Sequence, residues 1–207
     1  MDIQKTIAEN LLQIKAIKLS VEKPFTWASG WKSPIYCDNR KALSFPSLRT
    51  QIKTGLSELI RLHFSHAEWV AGVATAGIAW GALVSEDLDL PFLYVRPKPK
   101  EHGLQNQIEG YYEQGRKVIV VEDLISTGKS SLQVVEVLKK EGLQVLGMVS
   151  IFNYGFPIAS QAFGEAGIPF YSLSDYNTLI EVAVQKGYVS NQEEKALLNW
   201  RLDPAKW

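Results

Sequence analysis

Glu122 and Asp123 stand side by side where the apolar run Val118-Ile119-Val120-Val121 ends, and Leu124, Ile125, Ser126, Thr127, Gly128, Lys129 and Ser130 follow directly. Ionised carboxylates accept hydrogen bonds and donate none, which suits the acidic pair to the 2′ and 3′ hydroxyls of a ribose. The small residues after it offer backbone N–H groups, hydroxyls and one cation. They do so where Leu132, Val135 and Leu138 start an amphipathic helix, and a helix N-terminus is a ready phosphate site. One ligand carrying both groups is a ribose 5-phosphate. A rival reading is a nucleoside-triphosphate loop ending in Gly128-Lys129-Ser130, but that motif needs glycine five residues before Gly128, and position 123 is Asp. The bland alternative is a capped strand–helix turn, because Ser and Thr cap helices routinely.

Three other segments carry candidate chemistry. Arg96, Lys98, Lys100 and His102 recur at every second position, so an extended backbone puts them on one face, where they can converge on a diphosphate. Pro97 and Pro99 stiffen the start of this stretch, and Gly103 and Gly110 can hinge it, the pattern expected of a lid; the alternative is a solvated hairpin tip. The turn around Thr75 and Ala76, flanked by Gly72 and Gly77, repeats the theme of small residues between an apolar strand and a helix. It reads either as a second anion-binding turn or as tight strand–helix packing. Residues 25–40 mix Phe25, Trp27, Trp31 and Tyr36 with Ser29, Lys32 and Arg40. Tyr36 offers a face for a planar heterocycle, and Lys32, Ser29 or Arg40 could meet a carboxylate or a polar ring edge. Equally, Phe25, Trp27 and Trp31 could form a small satellite core. His63 and His66 read as helix-end surface residues, and Cys37 as a small buried hydrophobe.

The elements that must position these groups alternate. Apolar runs predict strands near residues 70–74, 91–95, 117–122, 145–152 and 170–172, with helices near 78–86, 130–141, 158–166 and 179–186 between and after them. An amphipathic helix is expected over 3–17, another follows Ser44-Phe45-Pro46 with Leu48, Ile52, Leu56, Leu59, Ile60 and Leu62 as its stripe, and a last one covers 192–202. Alternating strands and helices imply an α/β fold, a doubly wound, mainly parallel sheet flanked by helices with right-handed crossovers. Ligands bind such sheets at the carboxyl ends of the strands. The 207 residues suit a single domain spanning 1–207, with residues 1–43 contributing an N-terminal helix and a small hood.

Lys+Arg and Asp+Glu are both 22, so the formal net charge of zero argues against nucleic acid as a partner. The single cysteine and three histidines leave no intramolecular disulfide and no zinc spacing, which fits a reducing, cytoplasmic setting. No apolar run approaches the ~18 residues of a membrane helix, and the N-terminal segment does not read as a signal peptide.

Taken together, the four segments between about residue 20 and residue 131 resemble the bacterial orotate phosphoribosyltransferases of the type I phosphoribosyltransferase fold. Residues 118–131 resemble the phosphoribosyl diphosphate motif shared across the fold, while Lys98-Pro99-Lys100-Glu101-His102-Gly103 and residues 25–40 resemble the orotate enzymes in particular. The resemblance implies that Glu122 and Asp123 hold the ribose hydroxyls, that Ser126 to Ser130 cradle the 5′-phosphate with Leu124 and Ile125 in the same phosphoribosyl diphosphate site, and that Thr75 and Ala76 belong to a diphosphate loop. It implies that Ser126, Tyr36 and, by substitution, Lys32 meet orotate. It also implies a homodimer in which Arg96, Lys100 and His102 reach the neighbouring subunit's diphosphate, with Mg²⁺ as cofactor carried mainly on substrate oxygens. Lys100 is the main catalytic cation on this reading, with His102 and Asp123 beside it in the catalytic set.

This sequence departs from enterobacterial members of that family at Pro97, Ala76 and Ala28, where those enzymes carry substrate-touching lysines. Tyr154 stands where some use an arginine for the orotate carboxylate. Two other functions fit parts of the pattern: a phosphoribosyltransferase for another base, and a regulator that binds phosphoribosyl diphosphate without turnover.

Overall fold

The computed structural model describes residues 2–27, 30–98 and 107–204. In chain order the elements are α1 (Ile3–Gln13), β1 (Ile17–Leu19), β2 (Phe25–Thr26), β3 (Lys32–Ser33), β4 (Ile35–Cys37), a 3-10 helix (Asn39–Ser44), α2 (Pro46–His63), β5 (Trp69–Val73), α3 (Ala76–Leu88), β6 (Phe92–Val95) and β7 (Ile108–Glu109). They continue with β8 (Lys117–Ile125), α4 (Lys129–Lys140), β9 (Gln144–Asn153), α5 (Pro157–Glu165), β10 (Phe170–Asp175), α6 (Tyr176–Gln185) and α7 (Asn191–Leu202).

The apolar run in β8 is the centre of the molecule. Val118 and Val120 pack into one buried cluster and Ile119 and Val121 into the other, so the strand is covered on both faces and shows no polar alternation. Around it the main sheet runs β10-β9-β8-β5-β6-β7, parallel throughout except for the antiparallel edge strand β7. Side chains of α4 and α5 bury against one face, with Val134, Val135, Leu138, Ala159 and Phe163. Those of α1, α2, α3, α6 and α7 bury against the other. The mainly parallel, doubly wound α/β arrangement is the one expected. Two short antiparallel pairs, β1 with β4 and β2 with β3, form the hood. Among the described residues no helix is long and apolar enough to cross a membrane.

Several boundaries differ for local reasons. The first helix stops at Gln13, not near residue 17, because Lys15 turns into the left-handed region at φ 55° and Ile17 is drawn into β1 opposite Cys37. Helix α2 begins with Pro46 in its first turn, as expected, but Leu62 is 74% exposed at the end of the predicted stripe. Helix α6 starts at Tyr176, earlier than its apolar spacing suggests, because the Asp175 carboxylate accepts from the Thr178 N–H and caps it. Strands of two or three residues, β1 to β4 and β7, carry too little periodicity to be read from sequence.

Candidate active site

Strand β8 pairs with β5 only as far as Val121, opposite Gly72, but with β9 it continues through Leu124 and Ile125. Glu122 to Ile125 are therefore paired on one side alone, three residues past the predicted end of the strand. The crevice this leaves above the end of β5 sits where the chain order reverses: β5 leads to β6 on one side, β8 to β9 and β10 on the other. Such a switch point is the preferred ligand position in open α/β sheets. It holds a cavity of about 360 Å³ lined by Thr75 and Ala76 on the β5 side, Glu122, Asp123, Leu124 and Ser130 on the β8 side, and Cys37, Asp38 and Arg40 from the hood.

Within this crevice the acidic pair divides its work, since successive residues of a strand face opposite ways. Glu122 is buried, accepts from the Asp123 N–H at 3.0 Å, and accepts from the Ser131 hydroxyl in the first turn of α4 at 3.3 Å. The Asp123 carbonyl accepts from the Asn39 side-chain amide at 2.7 Å, which ties the 3-10 helix to the strand end. Burial raises the Glu122 carboxyl well above the ordinary 4.5 of a glutamate, and the Asp123 charge pushes it further. Burial raises Asp123 too, while its contact with Glu122 and the charge of Arg40 pull it back. Glu122 is thus mainly the fastener between β8 and α4, and Asp123 the more readily ionised acceptor.

A stability prediction follows with a definite sign. A carboxyl whose folded-state pKa is raised contributes stability that is intact below the unfolded value and is lost as pH rises through the folded value. Glu122→Gln, which keeps the shape without the charge, is expected to match wild type in melting temperature near pH 5 and to exceed it progressively toward pH 8.5. The gain should be about 2–4 °C for each kcal/mol relieved. Melting curves across that range check it, and a constant difference at every pH would refute the assignment.

The loop after β8 is built for close approach. Gly128, at φ 79°, takes the N-cap position of α4, and no side chain caps that helix. The N–H groups of its first turn accordingly lack intrahelical carbonyls and a side-chain acceptor, and they carry the positive end of the helix dipole. Thr127 is half-buried, Lys129 and Ser130 are exposed, and Ile125 turns its side chain into the core, leaving its backbone at the site. On the β5 side, a Cβ at Gly77 would lie 2.6 Å from the Val121 carbonyl oxygen, and one at Gly72 would lie 2.6 Å from that of Gly77. These two glycines serve tight packing, and Val73, Ala74, Thr75 and Ala76 between them line the cavity.

A second cavity of about 280 Å³ adjoins the first, sharing Cys37 and Leu124 with it, and is lined further by Thr26, Trp27, Tyr36, Ser126 and Tyr154. Its walls are mainly apolar, and Trp27, Tyr36 and Tyr154 supply aromatic faces. Tyr36 is 40% exposed with its ring 5.7 Å from Phe25, and Tyr154 is buried, with its ring 5.2 Å from Trp27. Trp27 does not stay in a satellite cluster, because it packs edge-on to Trp200 of α7 and donates from its indole N–H to the Ile35 carbonyl. Ser126 and Tyr36 stand in this cavity wall as the sequence suggested. Lys32 does not. Its ammonium donates to the Thr26 hydroxyl at 2.8 Å and reaches only the rim through that residue. The Cys37 thiol, raised well above its usual range by burial, stays protonated and donates to Asn39 Oδ1, consistent with a packing role.

Comparison with known proteins bears directly on this pair of cavities. A family described as phosphoribosyl transferase domain matches residues 47–159. The orotate phosphoribosyltransferase of Phocaeicola vulgatus is 53% identical over 99% of this chain and 97% of its own length. That of Bacillus subtilis is 51% identical over 98% of this chain and 94% of its own length. The chain belongs to the orotate phosphoribosyltransferase family. Among solved structures, the orotate phosphoribosyltransferase of Aeropyrum pernix superposes with a TM-score of 0.77 at 29% identity, over 89% of this chain and 99% of that one. Leishmania donovani UMP synthase shares the fold, with a TM-score of 0.81 at 22% identity over 99% of this chain and 42% of that one.

The family match takes in part of each cavity: residues 47–159 contain Thr75, Ala76, 122–130 and Tyr154, whereas the hood residues Thr26, Trp27, Tyr36, Cys37, Asp38 and Arg40 precede them. The β6–β7 pair brings Arg96 beside Glu109 at 3.6 Å, and Arg96 lines a narrow cleft with Ala74, Gln107 and Ser130. Lys98 is exposed. Lys100 and His102, with Gly103, lie outside the described residues. Sequence reasoning did not single out Ser131 or Asn39. Both are polar residues on elements it had placed or omitted, and their importance shows only through the contacts with Glu122 and Asp123.

Proposed function

We propose that this chain is an orotate phosphoribosyltransferase, transferring the ribose 5-phosphate group of 5-phosphoribosyl 1-diphosphate to orotate and yielding orotidine 5′-monophosphate and diphosphate, in the pathway to UMP. The observation that carries the reading is the pair of adjoining cavities at the carboxyl end of β8, one with carboxylates and an uncapped helix start, the other aromatic and sized for a planar ring. The full-length likeness to proteins of that name supports it.

In this reading Asp123 accepts from the ribose hydroxyls while Glu122 locks α4 against the strand end. The backbone of 126–130 holds the 5′-phosphate, and Thr75 and Ala76 face the departing diphosphate. The N1 proton of orotate passes to solvent before the lid closes, the C1′–oxygen bond then breaks as the N1–C1′ bond forms, and the electron pair of the broken bond leaves on diphosphate. Charge therefore builds on the leaving group, and cations placed there stabilise the transition state more than the ground state. Arg96, Lys100 and His102 are assigned that work, delivered across a homodimer interface so that each site uses two subunits. Closing the lid excludes water from the activated sugar.

Mg²⁺ suits the cavity chemistry. Asp123 and Asp38 provide hard oxygen donors on its wall, the substrate supplies more, and Mg²⁺ favours a few carboxylates plus phosphate oxygens. Bound there it would offset the negative charge of the diphosphate. The chemistry is that of a cytoplasmic biosynthetic enzyme.

A scan of bases tests the reading. With Mg²⁺ and phosphoribosyl diphosphate, orotate absorbance is expected to fall while uracil, hypoxanthine and adenine turn over far more slowly. Faster turnover of another base would replace orotate as the substrate, and diphosphate release with none of them would make the chain a binding regulator.

A further inference from the structure

Arg40 is the only cationic side chain among the described residues that line either cavity. Its Nε donates to Asp38 Oδ1 at 2.6 Å, a contact that orients the guanidinium, while the side chain stays 58% exposed and no described residue partners its two terminal nitrogens. Its position along the chain is telling. Strand β4 places Tyr36 in the aromatic cavity and runs through Cys37, which lines both cavities, into the 3-10 helix that carries Arg40. Arg40 thus flanks the boundary between the sugar half and the base half, close enough to Asp123 for its charge to favour the ionised carboxylate there.

Orotate differs from uracil by a carboxylate on the ring carbon next to the nitrogen that attacks the sugar. In any productive pose that carboxylate sits beside C1′, at the boundary of the two cavities. Tyr154, buried among aromatic rings, provides no cation for it, and Lys32 is engaged at the rim with Thr26. We propose that Arg40 binds the substrate carboxylate and thereby determines the choice of orotate over bases that lack one. The planar fork of a guanidinium suits a carboxylate, and the Asp38 contact leaves its outer edge available for a two-point contact.

This proposal rests on the reaction assigned above, and its test separates the two. Steady-state kinetics of wild type, Arg40→Gln and Arg40→Lys are measured with orotate and with uracil, varying phosphoribosyl diphosphate in a parallel series. Arg40→Gln is expected to raise the KM for orotate about tenfold or more, the loss of a charged hydrogen bond, with the KM for phosphoribosyl diphosphate little changed. The orotate-to-uracil ratio of kcat/KM should fall by the same factor, and Arg40→Lys should recover part of it. Because the side chain is exposed, both variants should melt with wild type. A rise confined to the KM for phosphoribosyl diphosphate would give Arg40 to the diphosphate and overturn the proposal. An unchanged orotate-to-uracil ratio, or a lysine variant no better than glutamine, would overturn it as well. Failure of the wild-type enzyme to convert orotate would instead overturn the reaction itself.

Discussion

Gly128→Ala is expected to lower kcat/KM for phosphoribosyl diphosphate by at least about a hundredfold, the scale set by ångström-level misplacement of a substrate-holding group. Two observations combine. The residue adopts φ 79°, which an alanine reaches only at a cost, and a Cβ there would lie 2.8 Å from Phe163 Cε2, a fully buried ring of α5. Neither the loop nor Phe163 can yield without moving the start of α4, whose backbone N–H groups are those proposed to hold the 5′-phosphate. A stability loss of about 1–3 kcal/mol should accompany the kinetic one, as is usual when a methyl is forced into a packed core. Truncating the ring in a Gly128→Ala/Phe163→Leu double variant is expected to relieve the clash and return part of the stability but not full activity, because the backbone conformation would still be strained. Kinetics and melting curves of the three proteins decide the matter, and a Gly128→Ala enzyme with wild-type kcat/KM would show that the loop does not hold the phosphate.

The second large effect concerns the proposed composite site. Lys100→Ala is expected to reduce kcat by about 10²–10³ while leaving binding of phosphoribosyl diphosphate within a few-fold, since its charge matters most as the diphosphate departs. Asp123→Asn should be comparably inactive through loss of the ribose-hydroxyl acceptor, and each variant alone should be nearly silent. Mixed in equal amounts with subunit exchange verified, they should recover about one quarter of the wild-type rate. Random pairing makes half the dimers mixed, and each mixed dimer has one site built from two unaltered halves. Verified exchange without recovery would place Lys100 and Asp123 in the same subunit's site and remove the shared-site reading.

How far the chain could be read before its structure was known depended on how local each signal was. The parallel sheet was legible because five apolar runs and their intervening helices each declare themselves within a few residues, and β8 is apolar from Val118 to Val121, where both layers cover it. The strand–loop–helix segment proposed to hold the sugar phosphate was legible for the same reason, since its acceptors, glycine and helix start are contiguous in 122–130. Short strands were not, and the first helix was overextended because Ile14 and Ile17 continue a helical spacing across a left-handed turn at Lys15 that no apolar pattern records.

By itself the sequence determined the fold class and the family it resembles, and it marked 122–130 as a candidate ribose-phosphate loop, because each of these is written in contiguous residues whose chemistry does not depend on distant partners. Tertiary structure alone decided the rest. It showed that β8 loses its β5 neighbour after Val121 and so opens the crevice, and that Glu122 turns to Ser131 while Asp123 meets the hood through Asn39. It also assembled the second cavity from Thr26, Trp27, Tyr36, Cys37, Leu124, Ser126 and Tyr154, and withdrew Lys32 to its rim while leaving Arg40 at the boundary. Those facts depend on which segments, far apart in the chain, the packed core forces together, and no local spacing encodes that.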